Sequence, residues 1–465
     1  MIKPFDSQVM SDVSTSRVLA DWCAGLRVAD IPAEVLAALP LRILDTTGLI
    51  IAGTVTPAGR YASDYARTFT APAESSLCGS RDRVPASMAA LAHGVAAHCR
   101  DFDDTYVDSV VHPGSMINSA LLALAEKTDA SSDDFNAAIV AGYEVAARVG
   151  AVAGRKFHAR SLHATGIVGP IACAAAAGRL LRLSGQQISW AMGLAASMSG
   201  GLMAFLMDGG WSKWLHVGWA AHGGIVASDL AARDFRGPEH VLNGKHDLYS
   251  ALLAGEALDR SLICTGLGTT WQGSLAQFKY YPCAHVIQPY IDAVLEIVRR
   301  HDLAAADIAG IDCTIAPWAA AIVCEPREAK LRFDSELEAI ASLPYQLAVA
   351  AIDRRVDLQA LEPTSRSRPD LADFAHRVTH RLDASLGQTF DGSVEIRTKS
   401  GKMHLAKADL AHASLPKLLE KFYSIARPLV GVQRAEALSQ EILRGDEPLW
   451  KPASRAFAQI PPEAR

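Results

Sequence analysis

Apolar positions recur at helical spacing from about Ser16 to about Thr265. In the stretch 34–53, Val35, Leu36, Leu39, Ile43 and Leu44 fall on one face, with Pro40 breaking or kinking the run. Ser131 with Asp134, and Ser184 with Gln187, each stand like a capping box before an apolar helix. Ile171 to Leu181 is mostly Ala, Gly and Leu, which predicts a buried helix packed closely against others. After Trp271 the period shortens. Ile311, Cys313 and Ile315 alternate with Asp312 and Thr314, while Val394, Ile396 and Thr398 lead through Ser400-Gly401 into Met403 and Leu405, the pattern of a hairpin. A helical pattern around Tyr345 to Ile352 lies between these strands, and helical spacing returns from Leu415 to Phe422 and from Ala435 to Leu443. The expected fold is mainly α. A large all-helical domain, 1–271 completed by 410–465, is interrupted by a smaller α+β lid domain, 272–409, and a cleft between the two is the expected place for a site.

Composition narrows the class. Half of the 465 residues are hydrophobic and 20% are charged, enough for more than one ordinary core. A net charge of −5 gives no general attraction to nucleic acid or to an anionic membrane, so a small-molecule enzyme fits better. The first sixteen residues lack the apolar run of a secretory leader, which places the protein in the cytoplasm. Ile188 to Met207 carries no charge and has the length of a membrane span, but Gly193, Ser197, Ser199, Gly200 and Gly201 break it. The eight cysteines are scattered without a C-x-x-C pair, as expected of reduced, mostly buried thiols rather than a cluster or disulfide framework. There is no G-x-G-x-x-G after a strand, no Walker loop, no H-E-x-x-H and no G-x-S-x-G elbow. No cofactor and no metal are expected.

Four segments hold residue types that chemistry needs, and each also has a plain structural reading. Arg100 to Gly114 (RDFDDTYVDSVVHPG) gathers four carboxylates, Thr105 and His112; if the preceding helix continues, Asp101 and Thr105 share a face at i and i+4, and His112-Pro113-Gly114 turns back over them. The plain reading is a solvated helix end. His163-Ala164-Thr165-Gly166 precedes the Ala-rich helix, so Thr165 is a candidate cap and His163 stands where backbone N–H groups favour an anion. Lys213 lies between Trp211 and Trp214, three residues before His216; a partly desolvated lysine can anchor a carboxylate or move a proton, and a snorkelling lysine is the alternative. Phe278 to His285 (FKYYPCAH) puts Lys279 and His285 in an irregular segment at the expected domain junction, equally readable as a hinge. Cys283 has no base paired with it in the sequence, which argues against a nucleophile.

In order along the chain, LRILDTTGLIIAG (41–53), AHGVAAHCRDFDDTYVDSVVHPGS (92–115), LHATGIVGPIACAAAAGRL (162–180), KWLHVGWAAHGG (213–224), FKYYPCAH and SLPYQLAVAAI (342–352) together resemble the MmgE/PrpD family. That family includes 2-methylcitrate dehydratase, cis-aconitate decarboxylase and iminodisuccinate epimerase. The resemblance implies a homodimer acting without a cofactor on a small di- or tricarboxylate, with Asp101, Thr105, His112, His163, Lys213, Lys279 and His285 as site residues. It also implies that Lys213, Lys279 and the helix start at His163 hold carboxylates, that His112 and Asp101 move protons, and that Thr105 orients one of them. In two places the chain departs from the decarboxylases: Thr105 to His112 and Lys279 to His285 are each one residue longer, as in the bacterial dehydratase and epimerase branches. Dehydration of a 2-methylcitrate-type acid, the commonest activity of the family it resembles, is the first expectation, epimerisation of an iminodisuccinate-like diacid the second and, given these loop differences, cis-aconitate-type decarboxylation the third. A non-catalytic helical binding protein is the alternative from another class.

Overall fold

Proline and small residues set the helix boundaries and crossings that matter for the site. The computed structural model describes residues 14–410 and 413–460; the stretch read above for a secretory leader lies, through residue 13, outside them. Pro40 splits the first apolar run into helices Ala33–Ala37 and Leu39–Thr54, sitting in the first turn of the second, where its missing N–H costs no helical bond. Taken together, 33–54 is long and apolar enough to cross a membrane, but 72% of its most apolar window is buried within the protein. The uncharged stretch 188–207 is not one helix: helix Gly185–Ser197 runs through Gly193, which does not break it, and ends before Gly200 and Gly201, and only the short helix Phe205–Asp208 follows. Ser184 and Gln187 form a full capping box, while Ser131 caps Ser132–Ala153 by accepting the Asp134 N–H.

The chain divides into two compact units, Met1–Phe278 with Ile425–Arg465, and Lys279–Ser424. In the first, helix Ala164–Leu180 is buried along its whole length, and helices Ser132–Ala153, Gly185–Ser197 and Ser212–Ala231 pack around it. Small residues permit this closeness. A Cβ on Gly224 would stand 2.4 Å from the Cys173 Cβ, and one on Gly94 would stand 2.8 Å from the Gly218 Cα. The unit is not purely helical, because Ser75–Ser76 pairs antiparallel with Arg83–Val84.

The second unit holds a four-stranded sheet in the order Val378–Leu382, Ile308–Ile315, Gly392–Thr398, Met403–Ala408, the first pair parallel and the others antiparallel. Ile308, Ile311, Cys313 and Ile315 supply the buried face of the central strand, and the amphipathic helix Gln288–Arg300 packs on the hairpin strands. All eight cysteines are buried and unbridged.

Candidate active site

Helices Ala86–His98 and Ser212–Ala231 touch backbone to backbone at Gly94 and Gly218, about one turn from the end of the first and nearly two from the start of the second. That crossing brings the residues after His98 to the first turn containing Lys213, whose Nζ lies 2.8 Å from Asp101 Oδ2. The first helix does not continue through Asp101 as expected. It ends at His98, and Asp101 takes a left-handed backbone (φ 47°), so the i, i+4 face with Thr105 does not form. Asp101 and Thr105 sit instead in a buried loop whose Thr105 exchanges two 2.8 Å backbone hydrogen bonds with Gln277. Val110 in the same loop also has positive φ (56°), a strained state for a β-branched residue two places before His112.

His112 opens helix Pro113–Thr128, with Pro113 as its first residue, rather than forming a turn that folds back. Its Nδ1 is 3.0 Å from the Asp104 carbonyl and 3.2 Å from Thr105 Oγ1. A carbonyl only accepts, so Nδ1 carries the hydrogen and neutral His112 keeps its lone pair on Nε2. The backbone N–H of His112 donates to Thr165 Oγ1 at 3.1 Å. Thr165 is therefore committed to His112 and lies inside helix Ala164–Leu180; the N-cap is His163, correcting the expectation of a threonine cap.

His163 Nδ1 is 3.2 Å from His216 Nδ1, and its backbone N–H donates to Gly201. Its Nε2 is buried without a hydrogen-bond partner among the described residues. Burial, with the nearby His98 and Lys213, holds His163 well below the ordinary imidazole range. Burial likewise lowers His216 and His158, each to about 4. These three rings are neutral near pH 7.

Sequence reasoning missed several members. His98 Nδ1 is 2.9 Å from both oxygens of Asp103, which also accepts from Ser115 Oγ at 2.5 Å. Asp104 accepts from Arg42 at 2.8 Å, the Tyr143 hydroxyl at 2.9 Å and the Gly114 N–H at 2.7 Å, while burial pushes its carboxyl up. Arg42 also bonds the carbonyls of Ser274 and Ala276 and lies over the Tyr143 ring. The acidic run marked the loop, but nothing in it said which carboxylate takes which partner. The donor sets His98, His112, His163 and His98, Asp101, Asp103, His112 could each hold a divalent cation.

Lys279 and His285 belong to the second unit, where both are buried. The segment between them is not helical; Gln288 organises it, accepting the Tyr280 and Tyr281 N–H groups and donating to the Tyr281 carbonyl and to Cys283 Sγ. His285 starts a single turn, His285–Ile287, with its ring 5.4 Å from that of Phe390. Asp101, Thr105, His112, His163 and Lys213 are thus gathered in the first unit, and Lys279 and His285 in one segment of the second.

Residues 17–261 match the model of the MmgE/PrpD N-terminal domain, and 281–444 that of the MmgE/PrpD C-terminal domain. Among similar proteins, the human cis-aconitate decarboxylase is 32% identical over 290 residues, covering 60% of this chain and 58% of that protein. The cis-aconitate decarboxylase-like protein oryM of Aspergillus oryzae is 27% identical over 296 residues, 61% of each chain. These two matches span less than two thirds of the relatives' length. The cis-aconitate decarboxylase of Aspergillus terreus is 25% identical over 444 residues, 91% of this chain and 88% of that one. With both domain models matched in order along its length, the chain belongs to the MmgE/PrpD family.

Proposed function

We propose that this protein is a lyase that moves a proton beside a carboxylate of a small tricarboxylic acid, with cis-aconitate the first substrate to try. The observation that carries the reading is the contact of half-buried Lys213 with buried Asp101 in a cluster with His112, whose neutral form keeps its lone pair on Nε2. Charge that develops beside a carboxylate needs a fixed cation and oriented N–H donors, and a positioned acid or base contributes ~10² to 10⁴ in rate. Lys213 serves as the cation and the helix start at His163 as the donor. His112 exchanges the proton at Nε2, held by Thr105 and the Asp104 carbonyl. For cis-aconitate, the C–C bond to one carboxylate breaks, its electron pair remains on the allylic carbon and carbon dioxide leaves; His112, having first taken a proton from solvent on Nε2, gives that proton to the carbon and returns to its neutral form. Lys279 and His285 are proposed to contribute to substrate binding, so that Lys279→Ala raises KM.

The names of the relatives support decarboxylation. The longer spacings Thr105 to His112 and Lys279 to His285 favour a second reading, dehydration of a 2-methylcitrate-type acid. Proton NMR in D₂O with cis-aconitate, citrate, 2-methylcitrate and iminodisuccinate separates them. Loss of carbon dioxide with deuterium uptake is the expected result, and new vinylic signals from 2-methylcitrate would move the assignment to dehydration. Failure of all four to react or exchange would remove the substrate class. Asp101→Asn and Lys213→Ala should each lower kcat by at least ~10²-fold while leaving the folded spectrum intact; full activity in both would sink this site. We further propose a homodimer in the cytoplasm, where eight unbridged thiols stay reduced.

A further inference from the structure

His98 and Asp103 have no part in the roles above, yet both are fully enclosed. His98 is 0% exposed and Asp103 1%. Because a carboxylate only accepts, the 2.9 Å contacts put the hydrogen of His98 on Nδ1 and fix the carboxylate, which Ser115 Oγ holds from another side. His98 Nε2 is left buried without a hydrogen-bond partner among the described residues, which a side chain kept only for packing would have no reason to tolerate. Asp103 Oδ1 also stands 3.7 Å from His112 Nδ1, too far for a hydrogen bond but close for a charge, and the two imidazole rings are 4.9 Å apart.

We propose that Asp103, locked in place by His98 and Ser115, is the counter-ion that stabilises His112 while His112 carries the proton in transit. This rests on the reading that His112 exchanges a proton with substrate. The proton passes between the substrate carbon and His112 Nε2; Nδ1 keeps its hydrogen on the Asp104 carbonyl, and no proton moves to Asp103. Asp103 and His98 are positioning residues, acting through His112. The titratable groups facing His112 are His98 at the end of its helix, Asp101 and Asp103 in the following loop, His163 at the start of Ala164–Leu180 and Lys213 in the first turn of Ser212–Ala231. Asp101 lies against Lys213 and Asp104 against Arg42, while Asp103, held by the His98 ring, also places Oδ1 3.7 Å from His112 Nδ1, where it can answer a charge on that ring.

The test is the pH profile of kcat in the full chain with Asp103→Asn, which keeps the shape and removes the charge. Losing an anion disfavours the imidazolium, so the limb that His112 controls should move to lower pH by about one unit, whether His112 acts as acid or base. kcat should fall ~10²- to 10³-fold with KM within ~3-fold, as when the carboxylate behind a catalytic histidine is neutralised. His98→Gln, which can still donate to Asp103, should retain more activity than His98→Ala. Should Asp103→Asn fail to fold, Ser115→Ala decides: the same limb should shift in the same direction by less, with kcat ~3- to 10-fold down. An unmoved limb in a folded Asp103→Asn, or wild-type behaviour in Ser115→Ala, overturns the proposal. Those outcomes leave wild-type turnover intact, whereas failure of the underlying reading shows as a wild-type enzyme inert toward every acid tried.

Discussion

Burial decides what each histidine in this fold can do. His93 lies apart from the cluster, against Phe457, and its Nε2 accepts the Cys78 N–H at 3.1 Å, so it must be neutral; burial lowers it to about 4. An unfolded histidine titrates near 6.5, so between pH 6.5 and about 4 the unfolded chain binds the extra proton. Stability therefore falls on acidification across that window, by up to ~1.4 kcal/mol per pH unit for this one group. Thermal unfolding followed from pH 7 to pH 5 should show the loss, and His93→Gln, which can still accept the bond, should flatten it; an unchanged slope would mean other groups dominate. Arg42 gives a second residue-level test. Both it and Asp104 are almost wholly enclosed, and removing one partner of such a pair costs about 3–5 kcal/mol. Arg42→Ala should therefore lower the melting temperature markedly and release the loop that carries His112, whereas a near-neutral effect would show the pair to be dispensable.

The site is placed by a helix crossing that depends on the absence of two side chains. Gly94→Ala would set a methyl 2.8 Å from the Gly218 Cα, with backbone on the receiving side, and overpacking of that kind costs ~1–3 kcal/mol. The helices must then spread, lengthening the 2.8 Å Lys213–Asp101 contact, so kcat should fall along with stability. A variant less stable but fully active would show that the crossing does not position the pair. Helix Gly185–Ser197 was legible in the sequence because its burial follows the helical period behind a capping box, Ala164–Leu180 because a run of Ala, Gly and Leu suits a helix enclosed all round, and the hairpin because burial alternates. Two kinds of feature were not. Strand Val378–Leu382 buries only Val378, so no alternation marks it. The loop 99–112 is organised by positive-φ backbone at Asp101 and Val110 and by partners as distant as Arg42 and Gln277, none of which has a periodic signature. For the same reason the residue types of the site were readable, while the pairing of His98 with Asp103 and of Thr165 with His112 was not.

At the scale of the whole molecule, the outer surface of the helical unit carries apolar side chains that a solitary chain has no use for. Met207 is 89% exposed, Tyr61 65% and Leu206 56%, and Tyr61 stacks on the half-exposed Trp211 with ring centroids 5.9 Å apart. Exposed apolar side chains of this size are what an association site offers, and a second copy of the chain is the partner that the proposed homodimer supplies. Trp211 lies two residues before Lys213, at the N-cap of the same helix, so the proposed partner on this face would also pack beside the helix start that carries Lys213. Light scattering after gel filtration should give twice the 49.5 kDa of one chain at micromolar concentration. Met207→Glu leaves the isolated fold untouched, because the side chain is outside it, but it places an unpaired charge at the proposed interface, which is costly to bury. The variant should dissociate toward monomer and lose activity in proportion. A wild-type monomer, or a fully active monomeric Met207→Glu, would separate the apolar face from catalysis and leave Lys213 held by its own helix and Asp101 alone.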